Sequence, residues 1–265
     1  MPARECLSRH WPEYLMEAWG LGMFMLAAGA ATVALEASAS PLHALVADPV
    51  TRRALIGLAM GLTAVGLIYS PWGRQSGAHL NPAVTLAFLR LGRIARCDAV
   101  FYILAQFIGG TLGVLLACAL FGAAFSGVPV NYVATLPGAN GVVTAFAAEA
   151  LISFGLMLAV LELSRHPRLA PYTGLAAELL ITLYILFEAP FSGMSMNPAR
   201  SFASAAPSGI WHSAWIYFSA PILGMSAAAE WYRHRAHGCA KLYHAEDKRC
   251  IHCGYQPPAS PSKAS

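Results

Sequence analysis

Asn-Pro-Ala occurs twice in this chain, at Asn81-Pro82-Ala83 and at Asn197-Pro198-Ala199, each in a loop between long apolar runs. The residues ahead of the two copies are mostly small: Ser76-Gly77-Ala78-His79-Leu80 before the first, Ser192-Gly193-Met194-Ser195-Met196 before the second. Asparagine is a strong helix N-cap, and proline in the next position is preset for the first helical turn. The pattern therefore predicts two short helices whose N-termini carry free N–H groups and partial positive charge. Two such ends meeting inside a membrane repel cations and offer hydrogen bonds to a neutral molecule. That is the chemistry of a pore.

The membrane follows from composition. Of 265 residues, 57% are hydrophobic and only 11% charged, against about 25% charged in soluble domains. Runs long enough to cross a bilayer, which takes about 20 residues, lie at Leu15–Leu35, Ala54–Tyr69, Val100–Ala124, Val142–Leu163, Leu169–Phe187 and Ile210–Trp231. The Asn-Pro-Ala segments, running to about Leu91 and Ala206, are too short to cross. Each should be a re-entrant half-helix, which a bilayer tolerates only when it is buried in protein. The expected fold is thus an all-α integral membrane protein with six transmembrane helices and two re-entrant half-helices. The run Leu15–Leu35 is longer than a signal-peptide core, so cleavage after Ala37-Ser38-Ala39 is not expected. Six cysteines, three of them in the last 27 residues, do not suggest a disulfide framework. The net charge of +4 is small, and no nucleic-acid partner is expected.

The order of spans implies duplication. Each Asn-Pro-Ala lies between the second and third span of its half, and the two copies are 116 residues apart. Three spans per half is an odd number, so the halves must be inverted in the bilayer, an architecture that recurs in transport proteins. Helix contacts are expected at Gly57/Gly61, at Gly109/Gly110/Gly113 and at Gly224. Arg4, Arg9, Arg74, Arg90, Arg93, Arg96, Arg165, Arg168, Arg233, Arg235 and Lys241 all fall on one face. The positive-inside rule therefore places both termini in the cytoplasm, of a plasma or inner membrane, and the segment 125–140 outside. The expected organisation is a cytoplasmic segment 1–10, a channel domain 11–232 and a cytoplasmic tail 233–265.

On these residues the sequence resembles the major intrinsic protein family, the aquaporins and glycerol facilitators. Ser76 to Thr85 and Met196 to Phe202 look like its two signature loops, and the resemblance spans residues 11–232. It implies that the amides of Asn81 and Asn197 donate to a permeating oxygen, that Arg200 lines a constriction, and that four chains form a homotetramer with one pore each. Arginine inside a membrane is in any case a functional candidate by default. Glu17 and Glu149 hold matching places in spans one and four. They are either proton-coupling carboxylates or acceptors that brace the loop N–H groups; bracing is favoured because intramembrane carboxylates pair with local donors, and the resemblance implies it too. Gln106 and Glu178 read as similar polar packing, and His79 as a loop hydrogen-bonder.

The resemblance also bears on solute. Ser201, Ala205 and Tyr217-Phe218 are closer to the water-channel branch than to the glycerol facilitators. The constriction departs from that branch: Ile185 stands where strict water channels carry histidine, Met194 lines the loop side, and Met60 stands where they carry phenylalanine. Methionine and isoleucine replace polar contact by flexible or branched apolar bulk. The expected function is a passive channel for water and small neutral solutes, with no enzymatic activity and no cofactor for transport. The alternatives are a glycerol-type facilitator with a wider filter and an ion-coupled secondary transporter. The latter needs titratable or ion-coordinating groups along the pathway, and Arg200 with the two asparagine amides supplies none.

The last 33 residues turn polar, with histidines and a Pro/Ser-rich end. Cys250 and Cys253 have the spacing of half a zinc knuckle, and Cys239 and His244 make candidate further ligands, with His237 and His252 as substitutes. A membrane-tethered metal or redox sensor would rest on this tail alone.

Overall fold

The computed structural model describes residues 3–233 and His252. Among the described residues there are helices and no strands. In chain order, the elements that build the channel are α1 (Ala3–Glu36), α2 (Pro49–Tyr69), the half-helix α3 (Pro82–Arg90) and α4 (Arg96–Phe121). The second half repeats them as α5 (Gly141–Ser164), α6 (Thr173–Phe187), the half-helix α7 (Pro198–Ser208) and α8 (Ala214–Tyr232). Among the described residues, five helices are long and apolar enough to cross a membrane by length and composition: α1, α2, α4, α5, and α6 with the turn ahead of it. The sixth, α8, packs along α5 as α4 packs along α1.

The halves interlock rather than sit side by side. α7 packs on α4 and α3 on α8, so each half-helix rests against the last helix of the other half. Close approach is set by small residues. A side chain at Gly109 would collide with the Ala18 carbonyl, and one at Gly224 with the Ala150 carbonyl. Both are the glycine contacts expected of helices that gain little from apolar burial in lipid.

Helix ends differ from the sequence expectation where tertiary contacts intervene. α1 starts at Ala3 and continues through Pro12, so residues 3–10 are helical and continuous with the first span. Contacts with the start of α4 hold this extension. The Tyr14 hydroxyl donates to Asp98 Oδ1 at 2.6 Å, and His10 Nδ1 lies 2.8 Å from the same oxygen. Cys6 and Cys97 are joined as a disulfide, a single bridge that the scattered cysteines did not indicate. α2 begins at Pro49, where Asp48 caps it by accepting from Thr51 N at 2.7 Å. Capping residues ahead of an apolar run extend the helix beyond the run itself.

Candidate functional site: a cavity between two capped loops

Both Asn-Pro-Ala segments form the predicted helix starts. Asn81 Oδ1 accepts from Ala83 N at 2.8 Å, and Asn197 Oδ1 accepts from Ala199 N at 3.1 Å and Arg200 N at 3.2 Å. The amide nitrogens cross between the halves: Asn81 Nδ2 donates to the Met196 carbonyl at 2.7 Å, and Asn197 Nδ2 to the Leu80 carbonyl at 2.8 Å. An asparagine amide has two N–H bonds. One of each is spent on the opposite loop, which ties the two helix tips together and leaves the other for the cavity that both residues line.

The loops that carry these tips are strained. Ala78 and Leu80 in the first, and Met194 and Met196 in the second, have φ between 49° and 52°, a region that costs a non-glycine residue about 1–3 kcal/mol. Buried carboxylates hold them there. Glu17 accepts from Ser76 Oγ, His79 N, Leu80 N and Gln106 Nε2 at 2.8, 3.0, 2.6 and 2.8 Å. Glu149 accepts from Ser192 Oγ, Ser195 N and Met196 N at 2.9, 2.6 and 2.7 Å. Hydrogen bonds to a charged partner contribute about 1.5–3 kcal/mol each, enough to offset the strain. Of the two readings of Glu17 and Glu149, the geometry is that of bracing.

A cavity of about 530 Å³ runs past both tips. On α2 its wall is Pro49, Arg53, Ile56, Met60, Ala64 and Ile68, a single face with a residue every three or four positions. From Pro49 to Ile68 that face is about 28 Å long at 1.5 Å per residue, close to the roughly 30 Å of a bilayer's hydrocarbon. α1 lines one end of the cavity from Leu21 to Glu36, and α5 lines the other with Leu156, Met157 and Val160. Met60, Ile185, Met194 and Arg200 all face this one cavity. Arg200 donates through Nη1 to Thr135 Oγ1, and Ser201 Oγ reaches the same hydroxyl at 3.3 Å. Among the described residues no carboxylate lies within ion-pair distance of Arg200, so its charge is not neutralised by an ion pair.

Thr135 was not evident from the sequence, because it sits in the 125–140 loop and reaches the site only by folding back; Gly138 N donates to the Phe191 carbonyl at 2.9 Å and fixes that return. Gln106 braces Glu17, as above, and also reaches Thr85 Oγ1 at 3.2 Å. Glu178 does not share its role. It stands on the cavity wall, and Oε2 has no hydrogen-bond partner. That corrects both its reading as polar packing and the view that the pathway holds no titratable group. A signal was present: Glu178, Ile181 and Ile185 are spaced as one helix face. His79 Nδ1 lies 3.1 Å from Thr85 Oγ1, the expected loop bond, and its ring also faces the cavity and stacks on His252 at 5.7 Å. The candidate zinc ligands Cys239, His244, Cys250 and Cys253 lie outside the described residues.

Comparison with known proteins bears on the family and the fold. The family model described as "Major intrinsic protein" matches residues 6–232. Aquaporin TIP4-4 of Zea mays is 39% identical over 177 residues, 62% of this chain and 68% of that protein. Aquaporin NIP1-2 of Arabidopsis thaliana is 36% identical over 178 residues, 66% of this chain and 60% of that protein. The X-ray structure of the aquaglyceroporin from Plasmodium falciparum superposes with a TM-score of 0.70 at 20% identity, covering 85% of this chain and 96% of that one. At that identity the likeness concerns the fold.

Proposed function

This chain belongs to the major intrinsic protein family of membrane channels, and from that premise we propose that it conducts water and small neutral solutes passively while excluding protons and other ions. The observation that carries the reading is the reciprocal tie between Asn81 and Asn197, which presents one amide N–H from each half to the cavity. A water that accepts from both amides turns its own hydrogens outward along the file and cannot relay a proton between its neighbours. The positive ends of α3 and α7 raise the barrier for cations at the same point, and Arg200, with no ion-pair partner among the described residues, adds a second. Met60, Ile185, Met194 and Arg200 form the filter in this proposal. Arg200 is the strong donor there, and the other three close the wall with apolar bulk. Such a wall without histidine favours a solute range wider than water alone.

Both termini are cytoplasmic in this proposal, the channel domain is 11–232, and the active assembly is a homotetramer with a pore in each chain. Support for subunit contacts is the exposure of large apolar side chains along α2 and α4, among them Leu58, Leu62, Leu104 and Leu112, which need lipid or a partner subunit. No cofactor enters the mechanism. Stopped-flow light scattering of proteoliposomes under water, glycerol and urea gradients, with an internal pH dye, tests the whole reading. Rapid osmotic water flux without proton flux is expected, and a proton flux comparable to the solute flux would overturn it.

A further inference from the structure

At the end of the cavity away from Thr32, Glu36 and Arg53, the wall facing away from the two loops is apolar apart from one group. Below the level of the filter, α2, α5 and α6 supply Ala64, Ile68, Leu156, Val160 and Ile181, none with a hydrogen-bonding side chain, and among them stands the carboxyl of Glu178. Glu178 is only 5% exposed, and its side chain has no hydrogen bond, ion pair or other polar contact among the described residues. It lies two helical turns before Ile185, about 10 Å along α6, at the level of Gly61, where a side chain would lie 3.3 Å from the Glu178 carbonyl. Glu17 and Glu149 are buried as deeply, but each is saturated by three or four donors. Glu178 has none among the described residues, so fold stability does not account for it. A buried, unpartnered polar group in a membrane protein costs several kcal/mol and points to a ligand.

We propose that Glu178 is a solute-binding residue of the pore, which accepts hydrogen bonds from small neutral solutes that carry both an acceptor and O–H or N–H donors, of the polyol and amide class. The inference rests on the channel reading above and names the chemistry of a second station along that channel. The chain then offers two complementary edges. The asparagine amides donate to the solute's oxygen, while Glu178 accepts from its hydroxyl or amino hydrogens beyond them. A solute larger than water loses several solvent hydrogen bonds on entering a narrow pore. An acceptor on an otherwise apolar wall restores one of them, and lowers the barrier more for a molecule with several donors than for a single water.

Glu178→Leu and Glu178→Gln separate this from a structural role. A carboxyl that merely packs would destabilise the channel when replaced. A solute-binding carboxyl held without partners should leave thermal stability in detergent unchanged or raised when it becomes leucine, as expected where function is held against stability. In proteoliposomes, Glu178→Leu is expected to lower glycerol and urea permeability about tenfold relative to water, and Glu178→Gln, which keeps a carbonyl acceptor, to lower it about threefold. An unchanged ratio of glycerol and urea to water in folded Glu178→Leu overturns the proposal, as does a lowered melting temperature with the ratio intact. If the unaltered chain conducts neither water nor solute, the channel reading itself fails, and the two failures are told apart by that control.

Discussion

The loop before Asn81 and the loop before Asn197 share a scaffold almost atom for atom. Tyr102 donates to the Ser76 carbonyl and Tyr217 to the Ser192 carbonyl, each at 2.6 Å. Ser76 Oγ accepts from Ala78 N at 3.1 Å and Ser192 Oγ from Met194 N at 3.0 Å. What differs is what hangs on that scaffold. Arg200 and its bond to Thr135 occupy the place that Val84 holds in the first half, and Ser195 with Ser201 replaces His79 with Thr85. Gln106 adds a fourth donor to Glu17, whereas Pro221 at the matching point of α8 can offer none. The duplicated frame sets where the two tips meet, and the unmatched residues make the two sides chemically different. Arg200, the charged residue of the proposed filter, belongs to one half only.

The largest effect should come from the carboxylates that hold the frame. Replacing Glu17 by alanine strands four buried donors and replacing Glu149 strands three, at about 1–3 kcal/mol each. Both variants should lose tens of degrees of thermal stability in detergent, Glu17→Ala the more. Equal loss would mean that the Gln106 bond contributes nothing and that the halves are energetically equivalent.

Arg200→Val makes the second half resemble the first at this position. Glycerol permeability should rise about tenfold relative to water in proteoliposomes, consistent with the loss of one strongly charged contact of roughly 1.5–3 kcal/mol. Val84→Arg makes the opposite swap and should slow every solute. An unaltered solute ratio in Arg200→Val would remove the filter from the second half.

A smaller change is expected from Ile185→His, which places a ring nitrogen across the cavity from Arg200. The ratio of water to glycerol flux should rise about threefold, in the range of a single neutral hydrogen bond. No change in any ratio would show that the filter lies at another level. The smallest effect is reserved for Gln106→Leu, which removes the donor that distinguishes the two braces. It should cost about 1 kcal/mol in detergent stability and leave permeation ratios alone, and a changed ratio would show that bracing and selectivity are coupled.

Much of this comparison could be read from the chain itself. Proline after asparagine encodes each half-helix locally, and apolar runs encode the spans, because both depend on neighbours in sequence. The matched places of Glu17 and Glu149 were visible from the duplication. Which loop groups those carboxylates accept from was not, since His79 N and Leu80 N reach Glu17 across 62 and 63 residues. The start of α1 at Ala3 was missed for a related reason: Cys6, His10 and Tyr14 are held by Cys97 and Asp98 near the start of α4, far away in sequence.

Glu178 marks the boundary between the two kinds of information. Its sequence neighbours are apolar, and the same pattern would suit a carboxyl packed against a donor, as Glu17 is, or one facing open space. Periodicity on α6 fixed the side of the helix on which it lies, together with Ile181 and Ile185. Only the crossing of α2, α5 and α6 decided that this side borders a cavity and that, among the described residues, Oε2 of the carboxyl finds no hydrogen-bond partner. Local propensity is written residue by residue along the chain, whereas the surroundings of a buried charge are a property of several helices at once.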